Sequence, residues 1–350
     1  MTNLAYTKFS DIDLADPFFD SLKADYREFP DWFDKKAKAG ERAYIIKHGG
    51  IRGFLYLKFE DGVVTDVVPS LPAKRHLKVG TLKIDAHGTR LGQRFVKKVF
   101  DHALAGNADD AYVTVFAKHL PLISILKTYG FKEFAKKNGL NGEELVLLKS
   151  FREKESDILL NYPRVSRDGV AKALLAIYPE YHTKFLPDSK LKTENFDIVQ
   201  DVSHANSIHK IYISGVAATG KLNRGDLLVM YRTTDIPGKA YFRSVATSIG
   251  VVEEVKRIGA FPSRSAFLHY VSPYSVFSSQ ELTDRFTKKR HIAIKFTYNI
   301  ALTKRLNRAR LLEEVGLPGN GRRWDFLRLS DQQFNEILNL GQVNESYLID

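Results

Sequence analysis

Apolar residues change their period several times along this chain, and each change marks an element. Over residues 16–33 (DPFFDSLKADYREFPDWF) they fall at mixed helical spacings, which predicts one or two short helices. Residues 43–46 and 51–57 are dense apolar runs on either side of Gly49-Gly50. Paired glycines supply the positive φ of a tight turn, so these runs read as a hairpin. Asp61-Gly62 reads as a second turn, leading into a strand over 63–68 and another over 77–84. A helix from about residue 88 to 105 carries Leu91, Phe95, Val96, Val99 and Ala103 on one face, with Asn107 to stop it. Residues 111–116 (AYVTVF) are nearly all apolar, as a buried strand requires. A short helix over 122–129, ended by Gly130, and a strand over 144–148 complete the set. Hairpin, strand, helix, strand, helix, strand predicts an α/β domain: a mixed sheet flanked by helices.

Beyond residue 150 the texture differs. Residues 151–206 contain Pro163, Pro179 and Pro187 and one helical stretch over 170–177, so they read as a connecting segment with a helix. From 207 onward come short strands over 211–213, 226–231, 241–245 and 249–255, punctuated by Gly215, Gly220, Gly225 and Gly238. Many short strands with glycine turns predict a mainly β barrel. A strand over 293–298 and helices over 306–315 and 331–338 belong to the same part. The expected division is an α/β domain over 1–150, a connection over 151–206, and a β-barrel domain over 207–345.

Composition narrows the chemistry. A chain of 350 residues exceeds one ordinary domain and suggests two. It has no cysteine, which excludes disulfides, thiolate catalysis and cysteine-ligated zinc. Its ten histidines show no metal-ligand spacing. No apolar run approaches the ~18–20 residues that span a bilayer. Met1-Thr2-Asn3-Leu4 begins neither a charged nor an apolar leader, so no membrane association and a cytoplasmic location are expected. The net charge is +12, and both halves of the chain are basic. Such a balance favours polyanionic partners, although a lysine-rich surface also simply keeps a protein soluble. There is no P-loop, no His-Glu-x-x-His and no nucleophile elbow.

The most informative stretch is 82–95, LKIDAHGTRLGQRF. A strand runs into a glycine-bearing turn and then a helix. Gly88 and Gly92 allow a ligand close to the backbone, and the amides of the first helical turn suit an anion. Arg90 and Arg94 add positive charge there. Further on, Tyr112-Val113-Thr114-Val115-Phe116 is followed by a helix ending Leu126-Lys127-Thr128-Tyr129-Gly130-Phe131. Together these resemble the GNAT family of N-acetyltransferases, whose coenzyme motif is Gln/Arg-x-x-Gly-x-Gly/Ala and which often end on a strand, a helix and Gly-Phe. Here His87 stands at the Arg/Gln position, Arg90 at the first glycine and Gly92 at the second.

The resemblance implies acetyl-CoA as cofactor. It places the pyrophosphate on the amides of Gly88, Thr89, Arg90, Leu91, Gly92, Gln93 and Arg94, beside His87, and the pantetheine arm along Leu82, Lys83 and Ile84. It also implies direct attack of an amine on the thioester, with the protein aligning the reactants. The family's general-acid tyrosine position is Leu126 here. Tyr129, on the same helical face, is the candidate replacement; the alternative is a core tyrosine beside Gly130. His119, at a common asparagine position, is a candidate acid or coenzyme ligand, or a plain helix-start residue. Asp85 and His87 are candidate bases or strand-end turn residues.

In the second half, Leu222-Asn223-Arg224-Gly225-Asp226-Leu227-Leu228, followed by Tyr231-Arg232, resembles the PUA-like group, including EVE and ASCH domains. That resemblance implies binding of RNA or modified nucleobases. Such a site needs an aromatic stacking face and groups that bond base edges. Tyr231, Arg232, Arg243, Arg323 and Trp324 are the candidate nucleic-acid-binding residues, with Tyr212 and Ser214 beside them and Arg322 next to Arg323. The combined expectation is an acetyl-CoA-dependent N-acetyltransferase targeted to nucleic acid, RNA or DNA, with the amine acceptor unassigned. The alternatives are a non-catalytic acetyl-CoA or modified-base regulator, in a defence or toxin–antitoxin context, and an acetyltransferase whose barrel is structural or forms a homodimer.

Overall fold

The computed structural model describes residues 4–85, 88–189, 191, 202–319 and 323–349. Two compact units divide the chain, Met1–Asn161 and Tyr162–Asp350.

The first unit contains β1 (Ala5–Lys8), α1 (Asp20–Asp25), α2 (Phe29–Lys38), β2 (Arg42–Lys47), β3 (Ile51–Val64), β4 (Leu71–Ile84), α3 (Leu91–Ala105), β5 (Asp110–Val115), α4 (Leu120–Thr128), β6 (Lys132–Gly139), β7 (Gly142–Ser150) and α5 (Ile158–Asn161). Its sheet runs β1-β2-β3-β4-β5-β7-β6. Only the β4–β5 pair is parallel. The apolar stripe of α3 packs on one face of this sheet. Gly53 of β3 is small because a Cβ there would lie 2.5 Å from the Phe95 ring. On the other face Phe9, Phe19, Phe29, Phe33, Phe54 and Tyr56 bind α1 and α2 to the strands. Each such ring, fully buried, stabilises the fold by about 1.5–3 kcal/mol.

Most predicted elements appear, with two corrections. Asp61-Gly62 is not a turn. β3 runs through it, pairing Asp61 with Arg75 and Gly62 with Lys74, and the ladder slips just beyond. Arg75 explains this: its guanidinium bonds Asp61 at 3.0 Å and the Gly106 carbonyl at 2.8 Å, so the carboxylate is satisfied within a strand. β6 was not anticipated. It is an edge strand of mostly charged residues (KEFAKKNG) with only Ala135 buried, and an apolar pattern cannot reveal it.

The second unit contains β8 (Val165–Ser166), β9 (Lys172–Ile177), α6 (Pro179–Phe185), α7 (Ser203–Asn206), β10 (His209–Ser214), β11 (Leu227–Arg232), α8 (Ala240–Arg243), β12 (Val245–Arg257), α9 (Arg264–Val271), α10 (Ser279–Thr287), β13 (Ile292–Asn307), α11 (Arg308–Glu313), β14 (Phe326–Leu329), α12 (Asp331–Leu340) and β15 (Leu348–Ile349). One sheet runs β10-β13-β12-β11-β9-β14; β15 and β8 form a small second one. The architecture is mixed α/β. Among the described residues the larger sheet is open, with β10 and β14 as edges, and the closed barrel expected from the sequence is not formed. Bulges between Ala246 and Ser248, Ile249 and Gly250, and Val252 and Glu254 bend the long β12–β13 pair.

The segment over 170–177 is a strand, not a helix: β9 pairs in parallel with β11 and antiparallel with β14. Its run KALLAI is buried on both faces, and such a run has no period to separate helix from strand. Residues 240–243 are the short helix α8, and the strand begins only at Val245. The Gly-Asp turn is as expected: Gly225 has φ +94°, and Asp226 accepts from the amides of Ala171 (3.0 Å) and Asn223 (2.9 Å) at the mouth of β11.

Candidate functional site

The site follows from where one ladder ends. The parallel pairing of β4 with β5 covers His76–Val79 against Asp110–Val113 and no more. β4 continues to Ile84 on β3, while β5 continues to Val115 on β7. A register slip between Tyr56 and Leu57 accompanies the divergence. Gly80 is needed where the strands part, since a Cβ there would stand 2.7 Å from the Tyr56 ring. Between the two strand ends opens a cleft of about 1080 Å³, floored by Val79–Ile84 and Val113–Phe116.

At one end the cleft meets the turn before α3. Gly88 has φ +83° and Arg90 φ +59°, so both lie in the left-handed region that delivers the chain into the helix. An L-residue there costs roughly 1 kcal/mol or more, and Arg90 bears that strain. Gly92 lies in the first turn of α3, where a Cβ would meet Ile125 at 3.1 Å. Leu82, Lys83, Ile84, Gly88, Thr89, Arg90, Leu91 and Gly92, the candidate coenzyme-binding residues, all line the cleft. The Lys83 ammonium turns aside to the Phe18 carbonyl and to Ser21 Oγ (2.6 Å) and so anchors α1. Gln93 and Arg94 are not on the cleft wall. His87 lies outside the described residues.

The opposite wall comes from α1, α2 and the β6–β7 turn. Tyr26 stacks on Phe116 (5.2 Å between centroids) and donates to Glu144 Oε1 at 2.7 Å. Burial, then Glu144, pushes the Tyr26 phenol well above its ordinary value. Glu28 accepts from Asn141 Nδ2 at 2.9 Å, and that bond holds its carboxyl below the usual range. On the floor Glu60 accepts from Tyr112 Oη at 2.5 Å and Lys58 Nζ at 3.1 Å, with Lys78 Nζ at 3.7 Å. Burial alone would raise the Glu60 carboxyl; Tyr112, Lys78 and Lys58 outweigh it and keep it ionised.

His119 lies in the cleft, its Nε2 3.3 Å from Asp25 Oδ2, while Lys118 Nζ takes Asp25 Oδ1 at 2.5 Å. Tyr129 does not: it is 1% exposed at the end of α4 and belongs to the core, as does Leu126. Sequence reasoning missed Tyr26, Glu60, Lys78 and Glu144. No motif joins them; long-range pairing of β3, β4, β5 and β7 brings Glu60, Lys78 and Glu144 together, and Tyr26, at the end of α1, joins them through its bond to Glu144. The signal available was a charged residue inside an otherwise apolar strand.

In the second unit the candidate nucleic-acid residues do not form an open platform. Tyr231 and Trp324 are 1% and 3% exposed, their rings 5.4 Å apart. The indole N–H donates to the Pro318 carbonyl (2.9 Å), and Arg308 lies 4.1 Å over its ring. Arg232, Tyr212 and Ser214 are buried. Arg243 forms two 2.7 Å bonds to Asp235. Arg323 is the solvent-facing member, 82% exposed and 3.6 Å from Asp325; Arg322 lies outside the described residues. The cause is burial of β11 on both faces, which turns strand aromatics inward.

No family model and no curated protein matches the chain. Several solved structures do. ASCH from Zymomonas mobilis matches at 10% identity over 48% of this chain and 94% of its own, with a TM-score of 0.33. The NatC complex, described as bound to Gag peptide and CoA, matches at 15% over 42% of this chain and 97% of its own, TM-score 0.29. A GNAT-family acetyltransferase from Streptococcus agalactiae matches at 12% over 39% and 81%, TM-score 0.28. Scores of this size carry no residue correspondence. Among the described residues no helix is long and apolar enough to cross a membrane.

Proposed function

We propose that the chain is an acetyl-CoA-dependent N-acetyltransferase whose second unit directs it to nucleic acid. The carrying observation is the cleft where β4 leaves β5 and runs on into the glycine turn of α3. Two features of that cleft suit coenzyme A. Unladdered strand edge at Gly80–Ile84 offers backbone partners to the amides of an extended arm, and Gly88 and Gly92 leave a side-chain-free approach to helix amides for a diphosphate.

When bound, acetyl-CoA supplies an activated acetyl thioester. The chain's own residues do the rest. The wedge holds the acyl group against the α1–α2 face, where proximity replaces a bimolecular encounter. Glu144, buried and bonded by Tyr26, is the carboxylate placed to take a proton from an incoming ammonium. Tyr26, kept protonated by its environment, holds that carboxylate in place.

Calorimetry with acetyl-CoA tests the reading. Wild type is expected to bind, and Gly92→Glu to bind at least tenfold more weakly (about 1.4 kcal/mol), since it puts a carboxylate on Ile125 and at the phosphate position. Equal binding by both removes the site.

A second reading has one specific support. Leu126 and Tyr129 are both buried, so α4 offers the cleft no phenolic acid for a leaving thiolate. A regulator that binds acetyl-CoA without turnover fits that. Coenzyme A release with any amine decides against it.

A further inference from the structure

Two charges in the cleft are left incompletely answered, and they are of opposite sign. On the floor, the half-buried Lys78 ammonium has no hydrogen-bond acceptor among the described residues; its one ion partner, Glu60 Oε1, stands at 3.7 Å. That same oxygen already takes Lys58 at 3.1 Å, and the other takes Tyr112. Lys137, paired to the exposed Asp66, adds like charge nearby. At the rim, Glu144 is buried, accepts from Tyr26 alone, and has no cation within ion-pair distance among the described residues. A buried charge without a full partner is costly, and an occupant of complementary charge recovers that cost.

The strand register sets the spacing. Lys78 pairs with Tyr112, and Leu145 pairs with Val115, so Glu144 stands one residue further along. Four residues of β5 separate the two positions along the strands, roughly 13 Å at about 3.3 Å per residue, and because β4 and β7 flank β5, two strand spacings of about 4.8 Å add to this across the sheet. Side-chain reach shortens this, but an α-amino acid, with amine and carboxylate on one carbon, does not bridge it.

We infer that the acceptor is an amine carrying its own anionic group, a carboxylate or phosphate several bonds away, with the ammonium drawn to Glu144 and the anion to Lys78. The inference rests on the acetyltransferase reading of this cleft and names the substrate class for it. The transfer balances as follows in protons and bonds: Glu144 takes one proton from the ammonium, the freed amine nitrogen forms a bond to the acetyl carbon, the carbon–sulfur bond breaks, and the second nitrogen proton passes to the departing thiolate, which leaves as the thiol. Trp32 and Tyr56 on the wall suit the linker between the two charged ends.

A matched series tests it on the full chain: 6-aminohexanoate, 6-aminohexyl phosphate, hexylamine and 1,6-diaminohexane. The two anionic amines are expected to show kcat/KM about tenfold or more above hexylamine, equivalent to about 1.4 kcal/mol. The ratio between carboxylate and phosphate tells which anion is native. Lys78→Met should bring the preference over hexylamine close to one while acetyl-CoA affinity, measured by calorimetry, stays at the wild-type value and certifies the fold. Preference for the diamine, or a preference that survives Lys78→Met, overturns the inference. If acetyl-CoA does not bind, or none of the four is acetylated, the same compounds are titrated against the fluorescence of a Trp324→Phe variant, in which Trp32 is the one remaining indole. A saturable change with 6-aminohexanoate that Lys78→Met abolishes keeps the subsite when the transferase reading has fallen; no change sinks the subsite too.

Discussion

Single residues carry the strongest and the weakest parts of the reading. Arg90 stands where the GNAT pattern has glycine, and its φ of +59° shows what that glycine would relieve. Gly92 stood out because a helix N-terminus open to a ligand would restrict residue type, and the structure puts it on the cleft wall. Tyr129 was not, because sequence spacing alone cannot say which face of α4 is inward. That difference is measurable. Tyr129→Phe is expected to leave kcat within about twofold, while Glu144→Gln should lower kcat by about 10²-fold or more, the usual weight of a general base, with acetyl-CoA binding intact. A large effect of Tyr129→Phe on kcat alone, with stability unchanged, would return the acid to α4.

At the level of elements, long amphipathic segments were readable and doubly buried ones were not. α3 and α12 appear with nearly the bounds their apolar period implies. β9 does not, since its buried run has no polar side to set a period. The wedge between β4 and β5 lies beyond such reading: each strand is visible in the sequence, but their divergence depends on register. Helix α6 shows a further tie that no pattern foretells. His182 is fully buried there, with Nε2 2.8 Å from Thr247 Oγ1 of β12. Burial, then Arg232 and Arg305, pushes its imidazole down to about 3. The unfolded chain therefore binds a proton, between about pH 6.5 and 3, that the folded one excludes. The contribution is complete above about pH 6.5 and is lost as pH falls, by about 1.4 kcal/mol per unit. Urea unfolding at pH 7 and pH 5 should show this loss, and His182→Gln should flatten it; an unchanged slope assigns the acid sensitivity elsewhere.

For the whole molecule, the basic balance was plain from the sequence and its use was not. Charge of +12 over a chain with both halves positive suits a polyanion, yet the aromatic residues picked to meet bases are interior. Under the proposed function, contact with nucleic acid would therefore fall to exposed cations such as Arg323, which would meet phosphates and read no sequence. Binding of a tRNA or duplex DNA should accordingly weaken steeply with salt, log K falling linearly with log salt at a slope near −0.7 to −0.9 per phosphate contacted. Arg323→Ala should lower that slope by about one without changing preference among sequences. Binding that ignores salt, or none at low salt, removes the targeting role of the second unit.

The short ladder between β4 and β5 has a mechanical meaning as well. Within the ladders, the pairing of His76–Val79 with Asp110–Val113 joins the β1–β4 half of the first sheet to the β5–β7–β6 half, and a bridge between Val68, in the β3–β4 connection, and Lys136 of β6 adds a second backbone link. From Gly80 toward Ile84 the two strands part into a seam. A ligand lying along that seam acts as the missing strand: it closes the backbone bonding of both edges and clamps the halves together. The cleft would then be a joint as much as a container, its stiffness set by whatever occupies it, and departure of that occupant would return to the sheet its freedom to breathe.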